Sequence, residues 1–453
     1  MEITVGMYGG AGTVTGSNFL LSDGTTNILI DCGLTQGKDF CDACNYDAFE
    51  YDVKEVTAVI FTHAHLDHIG RGPKLVKDGF NGSVYTTPPT EDLMAVMLED
   101  SEGILKREAD RMGRPPMYEK EHVHSLLSKI VTKDYHQKFE IGDFTCEFFD
   151  AGHILGSAIV KFTHKKTNKS YVFTGDLGNS PSPLLPDTEF VTDANYLIME
   201  SVYGDRLHED IEHREEKLRD IIKRSVERGG VLMIPAFSME RTQILLYNLS
   251  NMMEAGEIPK VPVFLDSPLA IKVTSIYRKY SKYLKRDLQG EIQKEGDIFD
   301  FPFLTKTETR EESKSIDHHE NPKIIIAGAG MSHGGRIQHH ELHHLDDPKS
   351  TLMIVGYQSA GSIGRLLQDG AKSVRIMDKD VKVKATIETL SGYSAHADRD
   401  NLVELVSHTS TTLDTVFVAM GEPGPASFLA QRLHDFLDVK TVLPERGRVY
   451  TLT

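Results

Sequence analysis

The chain has 453 residues, of which 40% are hydrophobic and 26% are charged, as in an ordinary globular protein of two or three domains. No apolar run approaches the ~20 residues that span a bilayer, so a membrane-spanning protein is excluded. The N-terminus has no basic region or cleavage signal, and we expect a cytoplasmic protein. The net charge of −17 argues against broad, non-specific coating of nucleic acid, but a local field around bound cations could still attract a phosphodiester.

The cysteine pattern is sparse. The four cysteines are Cys32, Cys41, Cys44 and Cys146. Cys41 and Cys44 form a lone C-x-x-C pair, which fits a redox motif or half of a zinc site. Because no second pair completes a zinc site, we expect the reduced thiols of a cytosolic protein.

The first segment, residues 8–17, is rich in glycine and resembles a phosphate-cradling loop. It lacks the Lys-Ser/Thr ending of such loops, and two strand-like runs follow it between Asn18 and Ile30. Asp23-Gly24 separates these runs, as in a hairpin turn. We therefore predict a hairpin here and no nucleotide site.

Four metal-ligand side chains follow the next buried strand. The apolar, β-branched run 56–61 predicts that strand, and His63, His65, Asp67 and His68 come directly after it. Imidazole and carboxylate suit zinc or another divalent transition ion. His63 and His65 alternate in an extended segment, and Asp67 and His68 follow as the chain turns. One loop can therefore offer ligands to two metal ions from two sides. The alternative is a His-rich surface loop, which the density of ligands behind a buried strand disfavours.

Three later strand-like runs also end on a histidine or an acid, namely His153, Asp176 and Glu200. Loops at strand ends, held by a rigid scaffold, are where catalytic groups usually sit. From about residue 205 strands and helices alternate, which predicts a parallel sheet with helices on both faces. We expect residues 205–384 to form this second domain, inserted into a discontinuous metal-binding domain of residues 1–204 and 385–453.

Laid out in order, these motifs resemble the metallo-β-lactamase superfamily, and specifically its β-CASP nucleases, over nearly the whole chain. The resemblance implies an α/β fold, an αββα sandwich with an inserted β-CASP domain that has a Rossmann-like parallel sheet. It points to the short bacterial relatives of the nuclease subunit of the pre-mRNA cleavage and polyadenylation machinery. The motifs that carry it are His63-Ala64-His65-Leu66-Asp67-His68, His153, Asp176, Glu200-Ser201-Val202-Tyr203-Gly204, Gly330-Met331-Ser332-His333-Gly334-Gly335-Arg336 and Ser394-Ala395-His396-Ala397-Asp398.

The resemblance implies a two-zinc site that hydrolyses single-stranded RNA, as an endonuclease or also as a 5′–3′ exonuclease. Asp176 would bridge the two ions, one held by His63, His65 and His153 and the other by Asp67 and His68. A hydroxide between the metals would attack phosphorus in line and leave a 5′-phosphate and a 3′-hydroxyl.

Three catalytic roles are implied for side chains. Asp67 would orient the attacking hydroxide. His396 would protonate the leaving oxygen, because the carboxylate of Glu200 orients its ring and favours the protonated imidazole.

Phosphate contacts are predicted in the strand-to-helix loops of the insert, where helix N-termini offer free N–H groups. Arginine's fork suits phosphate, and glycine lets the backbone come close. For the arginines the alternative is a surface charge, and for the glycines a tight turn. The predicted contacts are Arg241, Ser332, Gly335, Arg336, Gly361 and Ser362, with Ser359 and Ala360 in the same loop as the last two.

Met420 is the main departure from the family pattern. RNA-cleaving relatives carry a histidine there that completes the second metal's shell, whereas the chain reads Val418-Ala419-Met420-Gly421-Glu422. A thioether is a soft, weak donor, so we expect the second metal to bind more weakly, to keep an extra water or to be another divalent ion.

Met420 leaves two alternatives open: a DNA nuclease of the same superfamily and a catalytically weakened RNA-binding subunit. A small-molecule hydrolase is a third, separate alternative. The last is disfavoured, because the insert would roof the site and leave a groove. A homodimer is left open, and no membrane partner is expected.

A second histidine cluster lies in the insert. His339, His340, His343 and His344 stand at i, i+4 spacing on a predicted helix, a spacing that can chelate a metal. Only Glu341 offers a further ligand nearby in sequence, so a solvated or packing role is the prediction.

Overall fold

The computed structural model describes residues 2–36, 42–208, 211–356, 358 and 361–452. Cys41 of the C-x-x-C pair and Ser359 and Ala360 of the predicted phosphate loop lie outside these residues. The chain divides into two compact units. One spans Met1–Leu207 and His396–Thr453, and the other spans His208–Ala395.

The first unit contains two sheets of seven described strands each. The first sheet has the order β22-β1-β2-β3-β4-β5-β6, and its strands are β1 (Ile3–Gly9), β2 (Asn18–Ser22), β3 (Asn27–Ile30), β4 (Ala58–Ile60), β5 (Ser83–Thr86), β6 (Ile130–Thr132) and β22 (Arg448–Leu452). The second has the order β21-β20-β11-β10-β9-β8-β7, with β7 (Phe139–Ile141), β8 (Phe144–Asp150), β9 (Ala158–His164), β10 (Ser170–Phe173), β11 (Tyr196–Met199), β20 (Thr415–Val418) and β21 (Thr441–Val442). As predicted, β2 and β3 form an antiparallel hairpin.

The two sheets pack face to face through their apolar sides. Phe19 of the first sheet and Phe173 of the second bring their ring centroids to 6.0 Å, and Phe162 packs edge-on against Phe173 at 5.7 Å. Such tilted and edge-to-face pairs add to the free energy gained by burying apolar area. This shared core fixes the ends of the strands, and with them the loops that carry the predicted ligands.

Helices flank the sheets of this unit. On the outer face of the second sheet, Leu402 and Leu429 pack against Leu197 and Val416. Beside the first sheet, the helices Gly72–Lys77 and Lys120–Leu127 pack on each other, and the helix Pro88–Met112 contacts β6. The helices are α1 (Asp42–Tyr46), α2 (Leu66–Ile69), α3 (Gly72–Lys77), α4 (Pro88–Met112), α5 (Lys120–Leu127), α13 (Arg399–Ser407) and α14 (Pro423–Leu437). The layers are therefore αββα, which confirms the predicted fold class.

The second unit contains a six-stranded sheet in which every pairing is parallel, in the order β14-β13-β15-β12-β16-β19. Its strands are β12 (Val231–Pro235), β13 (Val263–Asp266), β14 (Leu304–Lys306), β15 (Lys323–Ala327), β16 (Thr351–Val355) and β19 (Thr386–Leu390), and β17 (Ser373–Ile376) pairs with β18 (Lys379–Lys382) in a separate hairpin. Its helices are α6 (Ile211–Arg228), α7 (Arg241–Glu254), α8 (Pro268–Lys279), α9 (Arg286–Glu295), α10 (Arg310–Ser315), α11 (Ile337–His344) and α12 (Ile363–Gln368).

The end of this unit differs from the expected one. The sequence pattern placed the return to the first domain at residue 385, but β19 pairs with β16 over five residues and extends the sheet. Polar residues in β19, such as Glu388, hide its strand character from a hydrophobicity pattern. Four short 3₁₀ helices complete the described secondary structure: Val53–Glu55, Ser281–Tyr283, Ile316–His318 and Ser391–Tyr393.

The cysteines only partly follow expectation. Cys32 and Cys146 are free and buried, and burial raises the pKa of the Cys32 thiol to about 12. Cys44 is disulfide-bonded, so the expectation of reduced thiols is wrong for this residue. A sequence carries no direct signal of oxidation state, which the redox environment sets. Within the described parts of the chain, no helix is long and apolar enough to cross a membrane.

Candidate metal centre

The predicted ligands meet at one end of the packed sheets. In the first sheet β3 and β4 run parallel, and in the second β8, β10, β11 and β20 run in one direction. The carboxyl ends of these strands lead into the segments that carry Asp31, His63–His68, His153, Asp176 and Glu200. Strand direction therefore gathers residues that lie far apart in the sequence.

The loop that bears four of the ligands folds as the sequence predicts. His65 is extended, with φ −69° and ψ 145°, and α2 begins at the next residue. The first turn of α2 then carries Asp67 and His68. Gly33 allows this turn to come close, because a Cβ there would lie 1.5 Å from the Asp67 carbonyl oxygen.

The first group of ligand atoms comes from His63, His65, His153 and Asp176. His65 Nδ1 lies 3.1 Å from His63 Nε2 and 3.2 Å from His153 Nε2. Asp176 Oδ2 lies 3.5 Å from His63 Nε2 and 3.6 Å from His153 Nε2. A ring nitrogen has one proton or one lone pair, so His65 Nδ1 cannot bond to both neighbouring imidazoles. The cluster is therefore not explained by hydrogen bonds alone.

These distances are close to those between the ligands of a tetrahedral metal ion. Ligand bonds of ~2.0–2.2 Å separate the donors around such an ion by about 3.3–3.6 Å. Burial holds the pKa of His63 well below its usual range, so its ring is neutral at neutral pH, as a metal ligand has to be. The donor set of three imidazoles and a carboxylate is one that zinc accepts.

A second group adjoins the first through Asp176. Donor atoms of Asp67, His68 and Asp176 lie within 4.8 Å of one another, and His68 Nε2 is 3.2 Å from Asp176 Oδ1. Asp176 thus turns one carboxylate oxygen to each group. Burial alone would raise the pKa of Asp176, but His68, His396 and His63 outweigh it and keep that carboxyl ionised.

Asp31 orients this second group, although the sequence did not single it out. Its Oδ2 lies 2.6 Å from His68 Nδ1, and its Oδ1 accepts from the Thr62 backbone N–H at 2.9 Å. Thr62 Oγ1 in turn lies 3.1 Å from His63 Nδ1. A carboxylate behind a ligating imidazole fixes its tautomer and raises its basicity.

Asp31→Asn is therefore expected to weaken metal binding at the His68 group by roughly 10–100-fold, the usual cost of losing such a partner. Asp31 has φ +59°, a conformation that asparagine tolerates, so the fold should persist. Metal affinity can be measured by competition with a chromophoric chelator, with thermal unfolding as the control. An unchanged affinity in a folded variant would show that Asp31 does not support a ligand.

His396 lies beside these groups, with Glu200 behind it. Its Nδ1 is 3.3 Å from Glu200 Oε2 and 3.9 Å from Asp176 Oδ2. Glu200 is fully buried and accepts from the Leu177 backbone N–H, while the Ala397 N–H donates to the Leu177 carbonyl. One short segment therefore holds both the carboxylate and the imidazole.

The electrostatics of His396 suit a proton donor. Burial alone would lower the pKa of this imidazole, but the carboxylates of Glu200, Asp176 and Asp67 outweigh that effect and raise it to about 9. The ring therefore carries a proton at neutral pH. Burial raises the pKa of Asp67 to about 6, and the neighbouring His68 opposes the shift.

Met420 is buried at the end of β20 and belongs to the core cluster between the sheets. Its Cγ packs against Gly10, where an added Cβ would lie 3.1 Å away. Its backbone N–H donates to the Gly10 carbonyl at 2.6 Å. The residue thus has a packing role, and the Asp67–His68–Asp176 group contains one imidazole where the first group contains three.

Three of the predicted substrate contacts in the second unit have partners within the protein. Ser332 is fully buried and its hydroxyl donates to Glu341. Gly335 has φ +71°, and a Cβ there would lie 2.3 Å from the Gly328 carbonyl oxygen. Arg336 donates to Asp266 Oδ1 at 2.7 Å and to the backbone carbonyls of Thr307 and Glu308, which follow β14. These groups shape the loop, and their substrate role remains a prediction.

The other three predicted substrate contacts are Arg241, Ser362 and Gly361, and each has different surroundings. The Arg241 guanidinium lies 4.4 Å above the Phe237 ring. Ser362 caps α12 by accepting from the Arg365 backbone N–H at 3.1 Å. Gly361 is exposed, has φ +86°, and has open space around the position of a Cβ. A backbone contact at Gly361 stays a prediction.

Comparison with known families agrees with this architecture. Residues 11–229 match the metallo-beta-lactamase superfamily, residues 242–367 match the Beta-Casp domain, and residues 380–444 match the Zn-dependent metallo-hydrolase RNA specificity domain. A crystal structure of a protein of unknown function from Enterococcus faecalis covers the whole of both chains with a TM-score of 0.56 at 14% identity, which supports the fold alone.

Curated relatives match over most of the chain. Ribonuclease TTHA0252 of Thermus thermophilus is 36% identical over 88% of this chain and 89% of its own length. Transcription termination factor FttA of Methanosarcina mazei is 33% identical over 97% of this chain and 70% of its own, and its namesake in Methanocaldococcus jannaschii is 31% identical over 98% and 70%.

Fold and site together define a metal-dependent hydrolase. The chain belongs to the β-CASP family of the metallo-β-lactamase superfamily, as the sequence motifs predicted.

Proposed function

We propose that this chain, a metal-dependent nuclease that acts on RNA, cleaves single-stranded RNA internally with two zinc ions and leaves a 5′-phosphate and a 3′-hydroxyl. The observation that carries the proposal is the position of Asp176, whose two carboxylate oxygens face the two ligand groups separately. The match to an RNA specificity domain and the ribonuclease of Thermus thermophilus favour RNA over DNA.

His63, His65, His153 and Asp176 would hold one ion, and Asp67, His68 and Asp176 the other. The ions would supply Lewis-acid activation of water and stabilise the charge that develops on the phosphoryl oxygens. Met420 packs in the core, and the second group has one imidazole where the first group has three. We therefore propose that the second site binds its ion more weakly, or prefers another divalent ion.

Side chains of the protein would orient the attacking water and donate the proton to the leaving group. Asp67, a member of the second group, would accept a hydrogen bond from the attacking water and orient it. His396 would donate its proton to the 3′ oxygen as the P–O3′ bond breaks. Glu200 holds the imidazole and keeps it protonated at neutral pH, so the leaving group departs as a neutral hydroxyl.

Glu200→Gln is expected to move the alkaline limb of the pH–rate profile to lower pH. Glutamine keeps the shape of the side chain, but it removes a negative charge that raises the pKa of His396. A general acid has to be protonated to act, so activity is lost at a lower pH than in the wild type. The measurement is kcat against pH. A uniform loss of kcat with an unmoved limb would mean that Glu200 only maintains structure.

Two further expectations belong to this proposal. A cytoplasmic location fits an RNA substrate and is tested by fractionating cells that express the chain. A homodimer stays a prediction, which light scattering of the purified chain decides.

The function is tested with two strands of one base sequence, one RNA and one DNA, each labelled internally and blocked at both ends. We expect internal cuts in the RNA only, with 5′-phosphate ends that a phosphatase removes. Cutting of DNA alone would overturn the ribonuclease proposal. The same RNA with free ends is tested in parallel. If only this unblocked RNA is cut, the activity is that of an exonuclease and the endonuclease proposal is wrong.

A further inference from the structure

A second cluster of metal-ligand side chains lies in the second unit, on α11 and the 3₁₀ helix Ile316–His318. One donor atom each from Asp317, His340 and His344 lie within 4.8 Å of one another. His340 and His344 are one helical turn apart on α11, so their side chains share one face of the helix. The third ligand, Asp317, lies more than twenty residues earlier, which is why the sequence alone favoured a solvated or packing role.

The two imidazoles are left with unsatisfied nitrogen atoms. Among the described residues, neither His340 Nδ1 nor His344 Nε2 has a hydrogen-bond partner, and both atoms are buried. His340 is fully buried as a residue. An unpaired buried polar atom is destabilising, so buried polar atoms are normally paired. A ligand that accepts electron pairs from both rings would remove this cost.

His340 is also held as metal-binding imidazoles usually are. Its other nitrogen, Nε2, lies 2.7 Å from Asp266 Oδ2. Asp266 is itself fixed by hydrogen bonds from Thr307 and Ser313, each at 2.6 Å. With the proton on Nε2, the lone pair of Nδ1 is free to bind a cation, the arrangement in which a carboxylate supports a ligating histidine.

Asp317 supplies the negative charge. Its Oδ1 lies 3.8 Å from His344 Nε2, which is too long for a hydrogen bond and slightly longer than the separation of about 3.3–3.6 Å between two ligands of one tetrahedral ion. Lys323 fixes the backbone on both sides of Asp317, because its ammonium donates to the carbonyls of Ile316 and His319 at 2.7 and 2.8 Å. The carboxylate is therefore presented on an ordered segment.

We propose that His340, His344 and Asp317 bind a divalent transition-metal ion, zinc first, at a site separate from the candidate metal centre. Two imidazoles and one carboxylate are a zinc donor set, with water completing the shell. The ion would fasten α11 to the 3₁₀ helix. Through His340 and Asp266 the site also adjoins Arg336, whose guanidinium donates to the same carboxylate.

A neighbouring pair provides the matched control. His339 and His343 stack with ring centroids 4.6 Å apart, and His343 Nδ1 lies 3.2 Å from Asp317 Oδ2. The His343 side chain is 41% exposed, so water can satisfy its ring. This outer pair is not part of the proposed ligand set, and its removal should leave the ion bound.

The test uses the full chain carrying His63→Ala and Asp176→Ala, so that the candidate metal centre is disabled. Zinc is added and its binding is followed by equilibrium dialysis and by the unfolding temperature. We expect one zinc per chain and a zinc-dependent rise in that temperature. His344→Gln or Asp317→Asn should weaken this binding by more than the ~10–100-fold that an outer-shell partner costs. The double variant His339→Gln, His343→Gln should retain it.

Three results would overturn the proposal: no zinc bound in the background variant, unchanged binding after Asp317→Asn, or loss of binding only when His339 and His343 are replaced. Asp317 is at the surface, so Asp317→Asn keeps the test valid if His344→Gln fails to fold. RNA cleavage by otherwise wild-type Asp317→Asn is expected to persist, which separates this site from the proposed function.

Discussion

Asp176→Ala is expected to lower RNA cleavage by roughly 10³-fold or more, since the ions contribute several kcal/mol of transition-state stabilisation and each 1.4 kcal/mol is tenfold in rate. Asp176 is the residue that turns one oxygen to each ligand group, 3.5 Å from His63 Nε2 and 3.2 Å from His68 Nε2. Its loss should therefore weaken both ions at once. The measurement pairs single-turnover cleavage with metal analysis of the same preparation.

Asp193→Ala is the matched control for this prediction. Asp193 is a 60%-exposed carboxylate of the same unit that pairs with Lys161, so its removal should leave both activity and metal content unchanged. Full metal content and wild-type cleavage in Asp176→Ala would mean that this carboxylate bridges nothing.

His396→Ala is expected to lower kcat by 10²–10⁴-fold, the usual contribution of a general acid, while the metal content stays at the wild-type value. His396 is close to Glu200 and Asp176 but contributes no atom to either ligand group described above. The alkaline limb of the pH–rate profile should disappear with the imidazole. The exposed His434→Ala in α14 serves as the control.

A substrate with sulfur in place of the 3′ bridging oxygen separates proton donation from positioning. A thiolate leaves without a proton, so cleavage of this substrate should be nearly as fast in His396→Ala as in the wild type. An equal loss on both substrates would show that His396 positions the RNA and does not protonate the leaving group.

Local sequence was sufficient to propose the candidate ligands that lie close together. His63, His65, Asp67 and His68 could be assigned from one strand end, because an extended segment followed by a helical turn fixes their directions. Asp31 could not be found this way, since its link to His68 depends on β3 and β4 lying side by side. Its position directly after a buried strand was the only signal.

The inserted domain shows the same limit of prediction from local sequence. Its parallel strands were predictable from alternating strand and helix patterns, whereas the partners of its loop residues were not. Ser332 lies in a glycine-rich motif that suggests substrate contact, yet its hydroxyl is buried against Glu341. Conversely, His340 and His344 gain their third ligand, Asp317, only through the fold. Tertiary contacts decide which polar side chains face solvent, and sequence spacing does not.

The most direct test of the central claim is RNA cleavage by a chelator-stripped preparation to which zinc is returned stepwise. The same labelled RNA and its DNA counterpart are used, with wild type beside Asp67→Ala. We expect cleavage to vanish on stripping and to return with zinc, for RNA only and in the wild type only. Cleavage that survives stripping, or that is equally strong in Asp67→Ala, would contradict hydrolysis by metal ions held in this site.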